Sequence, residues 1–357
     1  MSKFFVGAYA AAPSLSGWDP SAEGSFLKSV LELDGVAGLE VPFAGKLHKD
    51  DESWFLRQLP EQADFIVTTI PGTMARLGSD PGFGLASTSR AGRKAAIDFI
   101  RESLNAAGRI NESLGRAAVV AVEIHSAPWA DGQRASASAL AGSLKEISDW
   151  QWNGAQIVLE HCDAFVPGQV PSKGFLPLHV EAETVHRVNE SSGRSMGIAV
   201  NWGRSVIEQR NPDAAPEHIN FLRGSNLLGG FVLSGCAGVD TRYGAAWADV
   251  HVPPAPPTSL RARPDDESPG GLDVLEPGSL LTVDRMEECL RAAGPASGKD
   301  FRGIKVAAPP HATVEQRVAV ISKTLDLARA AERQGGQGRT GEFRPNRNLP
   351  LGPDDYA

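Results

Sequence analysis

Apolar residues along this chain fall into two periodicities that take turns. Short runs of Val, Ile, Leu, Phe and Ala with no polar interruption occur at Phe4 to Ala10, Val36 to Val41, Phe65 to Ile70, Ala118 to Ile124, Gln156 to Glu160, Gly197 to Asn201, Gly230 to Ser234 and Gly303 to Ala307. Such runs are the pattern of a strand buried on both faces, as a parallel sheet requires. Between them, apolar residues recur at three- and four-residue spacing over Ala22 to Leu33, Asp51 to Leu59, Ser89 to Leu114, Ser136 to Trp152, Val180 to Asn189, Ala214 to Leu222, Val283 to Ala292 and Val314 to Ala331. That is the pattern of a helix with one buried face. Eight strands and eight helices in strict alternation predict an α/β fold, a (β/α)8 TIM barrel, as a single domain over residues 1–333 with an extended C-terminal tail over 334–357. An open doubly wound sheet is the alternative, but no Gly-rich dinucleotide fingerprint follows the first strand.

Local signals refine this frame. Thr282 and Thr313 precede helical runs and can accept from the free N–H groups of a first turn. Three Gly- and Pro-rich stretches break the rhythm after strands three, five and seven: PGTMARLGSDPGFGLAS, FVPGQVPSKGFLP, and a long run from Gly235 to Pro277. In a barrel all three rise on the face where the strands end, and long loops there cover a site and select its ligand. Within the third, Asp265 to Gly271 has the composition of a disordered surface loop.

Composition narrows the function classes. A chain of 357 residues with net charge -8, its acids and bases interspersed, offers no basic field for nucleic acid or an anionic membrane. The N-terminus lacks a long apolar segment and no later run reaches the ~20 apolar residues of a membrane span. Its 3 cysteines, Cys162, Cys236 and Cys289, are far apart and in no metal-like spacing, which points to a reducing compartment. A cytoplasmic protein with a small-molecule partner is the expectation.

Candidate chemistry gathers where the strands stop. Glu40 ends strand two, Glu123 and His125 end strand four, Glu160, His161 and Asp163 end strand five, Asn201 and Trp202 end strand six, and Lys305 lies on strand eight. A barrel brings these distant positions to one mouth. Two carboxylates in a partly dry pocket repel, so one holds a proton while the other stays ionised, which is what acid/base catalysis needs. Glu123 and Glu160 are therefore the expected catalytic pair. Substrate binding is expected from Glu40, His125, His161, Asp163, Asn201, Trp202, Arg204, Lys305, and the loop pair Asp249 and His251. Arg204, near a helix start, could grip an anionic substituent. Tyr9, Trp18, Phe43, Trp129, Trp202 and Trp247 lie near the same ends, and sugar rings stack on such groups, so a small carbohydrate is the expected substrate. By strand alternation Cys162 points opposite to His161 and Asp163, toward the helix layer, and is not expected to act.

The segments EIHSAP, LEHCDA, VNWGRS and WADVHVPP, in this strand order, resemble the xylose-isomerase-like TIM barrels and the bacterial domain family DUF4862. The resemblance spans nearly the whole barrel. It implies a sugar isomerase or epimerase, and in that group a divalent metal is held by acids and a histidine from strands five to eight. Glu160 matches the strand-five ligand. Strand six offers Asn201 instead of an acid, strand seven ends in Ser234-Gly235 and strand eight in Ala307-Ala308-Pro309, so the expected ligand pattern is incomplete and no metal ligands are assigned. The leading expectation is proton transfer on a sugar by the Glu123 and Glu160 pair. The rivals are glycoside hydrolysis by the same pair and a non-catalytic sugar-binding barrel.

Overall fold

The computed structural model describes residues 2–257, 274–298 and 300–336. Its strands are β1 (Phe4–Val6), β2 (Val36–Pro42), β3 (Asp64–Thr68), β4 (Val119–Ile124), β5 (Gln156–His161), β6 (Gly197–Asn201), β7 (Leu228–Leu233) and β8 (Phe301–Ile304). The helices are α1 (Pro20–Leu31), α2 (Glu52–Gln58), α3 (Ile70–Ser79), α4 (Arg90–Leu114), α5 (Ala137–Ser148), α6 (Leu178–Ser192), α7 (Trp202–Gln209), α8 (Ala214–Gly224), α9 (Val283–Ala293) and α10 (Val314–Gly336). Each strand pairs in parallel with the next, and β1 pairs with β8, which closes the barrel. Closure leaves no sheet edge exposed.

Caps and turns set the helices as the local sequence directs. The Asp19 carboxylate accepts from the N–H groups of Ser21 and Ala22 at the start of α1, and the Ser89 hydroxyl does the same for Gly92 in α4. Thr282 accepts from Arg285 and Thr313 from Gln316, as expected from sequence. Among the described residues no helix is long and apolar enough to cross a membrane.

Packing divides into a large apolar layer between strands and helices, a small plug inside the barrel made of Phe5, Ile66, Ala121, Val158 and Ala199, and a third cluster of Ile70, Ala127, Cys162 and Phe175. The plug fills the lower half, so polar chemistry is confined to the end where the strands stop.

Four features differ from the sequence reading. The first strand stops at Val6 and the chain turns through a 3-10 segment, Ala8–Ala11, rather than running on to Ala10. Gly7 permits the bend: a Cβ there would come 2.8 Å from Lys305 Cγ and 3.0 Å from Glu40 Oε2. The stretch after β3 contains α3, because Pro71 falls in the first turn, where a missing N–H costs nothing. Between β6 and β7 a second helix, α7, precedes α8. At the C-terminus α10 continues to Gly336, three residues into the expected tail; residues 337–357 and the stretch Asp265 to Gly271 lie outside the described residues.

Candidate active site

Side chains of a strand alternate between faces. Above the plug residues Ile66, Ala121, Val158 and Ala199, the next inward positions are therefore Thr68, Glu123, Glu160 and Asn201, and all four are fully buried. One more step along the chain adds His125 and Cys162. A polar ring thus sits directly on an apolar floor.

Glu160 is the hub of that ring. Its Oε1 lies 2.7 Å from Arg204 Nη1 and accepts from Asn201 Nδ2 at 3.3 Å; its Oε2 lies 2.8 Å from His125 Nε2. Burial works against the charged carboxylate, but Arg204, Lys305 and the His125 bond outweigh it and hold Glu160 well below the usual carboxylate range. Burial lowers His125 as well, which keeps the ring neutral. Neutral His125 donates from Nε2 to Glu160, while its Nδ1 faces the Thr69 hydroxyl at 3.2 Å.

Glu123 has the opposite setting. Neither of its oxygens makes a well-formed hydrogen bond; the hydroxyl of Thr68, its neighbour across the sheet, lies close enough to act on the carboxyl and has no other partner. Burial first, then repulsion from Glu160 and Glu40, pushes Glu123 well above the usual carboxylate range, which favours its neutral form. Glu40 pairs with Lys305 at 2.5 Å and accepts from the Tyr9 hydroxyl at 3.2 Å. Burial raises Glu40 and opposes the charge on Lys305, but the carboxylate beside it keeps the ammonium protonated.

The loop after β7 closes the mouth. Asp249 Oδ2 takes Arg204 Nε at 3.0 Å and Lys173 Nζ, from the loop after β5, at 2.9 Å. The Ser234 hydroxyl lies 2.8 Å from His251 Nδ1, and His251 carbonyl oxygen accepts from Ala307 N at 2.7 Å. Burial lowers His251 to about 3, so it is neutral. Asp249 stays ionised because Arg204 and Lys173 overcome the cost of burial.

Of the expected residues, Glu40, Glu123, His125, Glu160, Asn201, Arg204, Asp249, His251 and Lys305 come together here. Three do not. His161 faces outward, with Nδ1 2.7 Å from Glu181 on α6 and Nε2 3.0 Å from Glu208 on α7. Asp163 shapes the loop after β5, its Oδ2 accepting from the N–H groups of Ser172, Lys173 and Gly174. Trp202 begins α7 and is buried in the apolar layer between strands and helices, away from the mouth. The alternation that separates Cys162 from His161 holds, but its faces are reversed. Cys162 points to the mouth, with Sγ 3.4 Å from Arg204 Nη1, and His161 points to the helices. Arg204 is engaged by Glu160 and Asp249 rather than turned outward for an anion. Sequence reasoning offered Tyr9 as a stacking aromatic rather than a hydrogen-bond donor to Glu40, and gave no role to Lys173, Ser234 or Thr68. The parity of β5 carried a signal for Cys162, whereas Lys173 sits in a loop 76 residues from Asp249 with no local pattern to mark it.

The mouth does not fit a divalent metal. His125, Glu160 and Cys162 have donor atoms within 4.8 Å of one another, yet both Glu160 oxygens are already bonded and the Arg204 guanidinium stands against Glu160 and Cys162. An ion there would face a fixed positive charge.

A family model described as domain of unknown function DUF4862 matches residues 5–320. An uncharacterised protein of Salmonella typhimurium is 32% identical over 335 residues, covering 93% of this chain and 98% of that protein. Among solved structures, a D-tagatose 3-epimerase-like protein superposes with a TM-score of 0.54 at 13% identity, covering 94% of this chain and 98% of the other. A Rhodospirillum rubrum protein provisionally described as a xylose isomerase gives 0.55 at 10% identity, covering 92% and 99%. At these identities the structural likeness speaks for the fold, a xylose-isomerase-like TIM barrel.

Proposed function

This chain belongs to the DUF4862 family and has a xylose-isomerase-like TIM barrel fold, and from that premise we propose that it is a sugar isomerase or epimerase working by acid/base proton transfer. One observation carries the reading: two inward carboxylates share a single buried ring in opposite settings, Glu160 against Arg204, His125 and Asn201, and Glu123 with no cation against it among the described residues, so the first is pushed toward its ionised form and the second toward its neutral form. Environments that push two such groups apart assign the base and the acid.

In this reading a sugar carbonyl sits between Glu123 and the cations Arg204 and Lys305. Positive charge near the carbonyl oxygen acidifies the neighbouring C–H, which matters because a carboxylate held as low as Glu160 is a weak base. Glu160 takes that proton. Electron density moves onto the oxygen, and Glu123 donates its own proton there. In an isomerisation Glu160 then returns its proton to the former carbonyl carbon while the hydroxyl on the adjacent carbon gives its proton to the Glu123 carboxylate as the new carbonyl forms, which restores both groups; in an epimerisation the enolate oxygen stays unprotonated against Arg204 and Lys305, and Glu123 instead delivers its proton to the same carbon from the opposite face. His125 and Asn201 keep the Glu160 carboxylate aligned. Tyr9 and the Glu40–Lys305 pair offer hydroxyl and charged partners to sugar hydroxyls, and the loop bearing Asp249 and His251 excludes water.

Incubating ketoses and aldoses with the enzyme in deuterated water tests this. Deuterium entering the sugar at carbon supports the proposal; release of a chromophore from aryl glycosides without exchange would replace it with hydrolysis by the same pair, since one protonated and one ionised carboxyl also suits that reaction.

A further inference from the structure

We propose that the Arg204 guanidinium is the built-in occupant of a latent cation position formed by His125, Glu160 and Cys162, and that it supplies from a side chain the positive charge a divalent ion would bring. The three donor atoms lie within 4.8 Å of one another, on the inward face of β4 and β5 and just beyond it. A nitrogen, a carboxylate oxygen and a sulfur at that spacing are a donor set for Zn²⁺ or Co²⁺, not for Mg²⁺. Arg204 Nη1 stands 2.7 Å from Glu160 and 3.4 Å from Cys162 Sγ, so the guanidinium touches two of the three donors. Its other edge is fixed by Asp249, which Lys173 also holds. Arg204 is 1% exposed and its backbone N–H is capped by Asn201, so the guanidinium has no alternative place to go.

Two consequences follow. With Arg204 in place, the chain refuses the ion that these donors would otherwise take, because charge repulsion at this range outweighs what three ligands gain. Without it, the strongest of the cations acting on Glu160 is gone, and an incoming ion can reach the three donors and displace the Cys162 thiol proton as it ligates. The inference concerns the chain's own residues and does not depend on which sugar, or which reaction, occupies the mouth.

Cobalt titration reads this directly. Full-length protein is titrated with Co²⁺ while the near-ultraviolet sulfur-to-cobalt charge-transfer band and the melting temperature are followed. Wild type is expected to show neither the band nor a melting shift. Arg204→Ala is expected to bind one equivalent, on the order of 100-fold more tightly than wild type, with the band present; Arg204→Ala combined with Cys162→Ser is expected to lose the band, which excludes the other two cysteines and surface histidines as its source. A band in wild type overturns the proposal, and so does its absence from folded Arg204→Ala. Should Arg204→Ala fail to fold, Arg204→Met takes its place, and the wild-type titration stands alone as a test. Sugar exchange in deuterated water, run separately after dialysis against a chelator, fails or succeeds independently of the cobalt result.

Discussion

Glu160 and His161 are consecutive residues of β5, and each is the centre of a buried charge network, one facing the barrel mouth and the other facing the helices. In the outer network every charge is answered. His161 lies between Glu181 and Glu208; Glu181 also takes the Ser126 hydroxyl, and Glu208 takes the N–H of Ala164 at 2.8 Å. The two carboxylates overcome the cost of burial and raise His161 to about 10. Nothing is left over for a ligand. The inner network is less complete, since both Glu123 oxygens and the Thr68 hydroxyl are buried without a well-formed hydrogen bond. An unanswered buried polar group costs stability, and here two carboxylate oxygens of that kind sit inside the ring that holds Glu160. The contrast separates a closed structural clamp from the ring proposed to act on a sugar.

The largest expected effect comes from Glu160→Gln, which removes the charge Arg204 and His125 hold. Loss of a proton-transfer group lowers turnover by ~10²- to 10⁴-fold, read as the rate of deuterium entry into sugar. Turnover within a few-fold of wild type would remove Glu160 from the mechanism.

Next is His161→Gln, which leaves two carboxylates facing each other without their cation. Breaking a buried pair costs about 3 to 5 kcal/mol, measured as a fall in the urea midpoint, while turnover per folded molecule stays at the wild-type level. If turnover falls as far as in Glu160→Gln, the division between the two networks fails. The same residue sets a pH signature. A histidine raised from 6.5 to about 10 on folding contributes stability that is fully present below pH 6.5 and is lost as pH rises through about 10. Unfolding free energy should therefore decline between those values by a few kcal/mol, and His161→Gln should flatten the decline.

Glu123→Gln keeps the shape of a protonated carboxyl and removes its transferable proton. Turnover is expected to fall by about 10²-fold with the urea midpoint unchanged or higher, because the amide brings no charge to desolvate. A large loss of stability would mean Glu123 is ionised and structural after all. The smallest effect is expected for Lys173→Met, which loosens one of two cations on Asp249. A few-fold rise in KM with little change in kcat would show that the loop contributes to binding; a change in kcat alone would contradict that role.

Much of this molecule is legible in the chain. The alternation of apolar runs with helical spacing specifies the barrel, and acids placed where the runs stop mark its active end. Glu40, Glu123, Glu160 and Lys305 could each be named that way because strand ends in a closed parallel barrel share one face. Helices without a clean pattern, such as α3 with its Pro and Gly, look like loops in the chain, and Lys173, one of the two cations that hold Asp249, has no local mark at all.

What only the tertiary structure decided is the sense of each face. A strand that packs against helices on one side and an apolar plug on the other is apolar on both, so its pattern says that Glu160 and His161 point opposite ways without saying which of them points inward. Barrel closure settles it, by setting Val158 into the plug and carrying Glu160 and Cys162 up behind it. The sequence by itself determined the strands, their order and the residues at their ends; which of Glu160 and His161 faces the mouth and which is clamped between helices belonged to packing, because periodicity fixes alternation but not its origin.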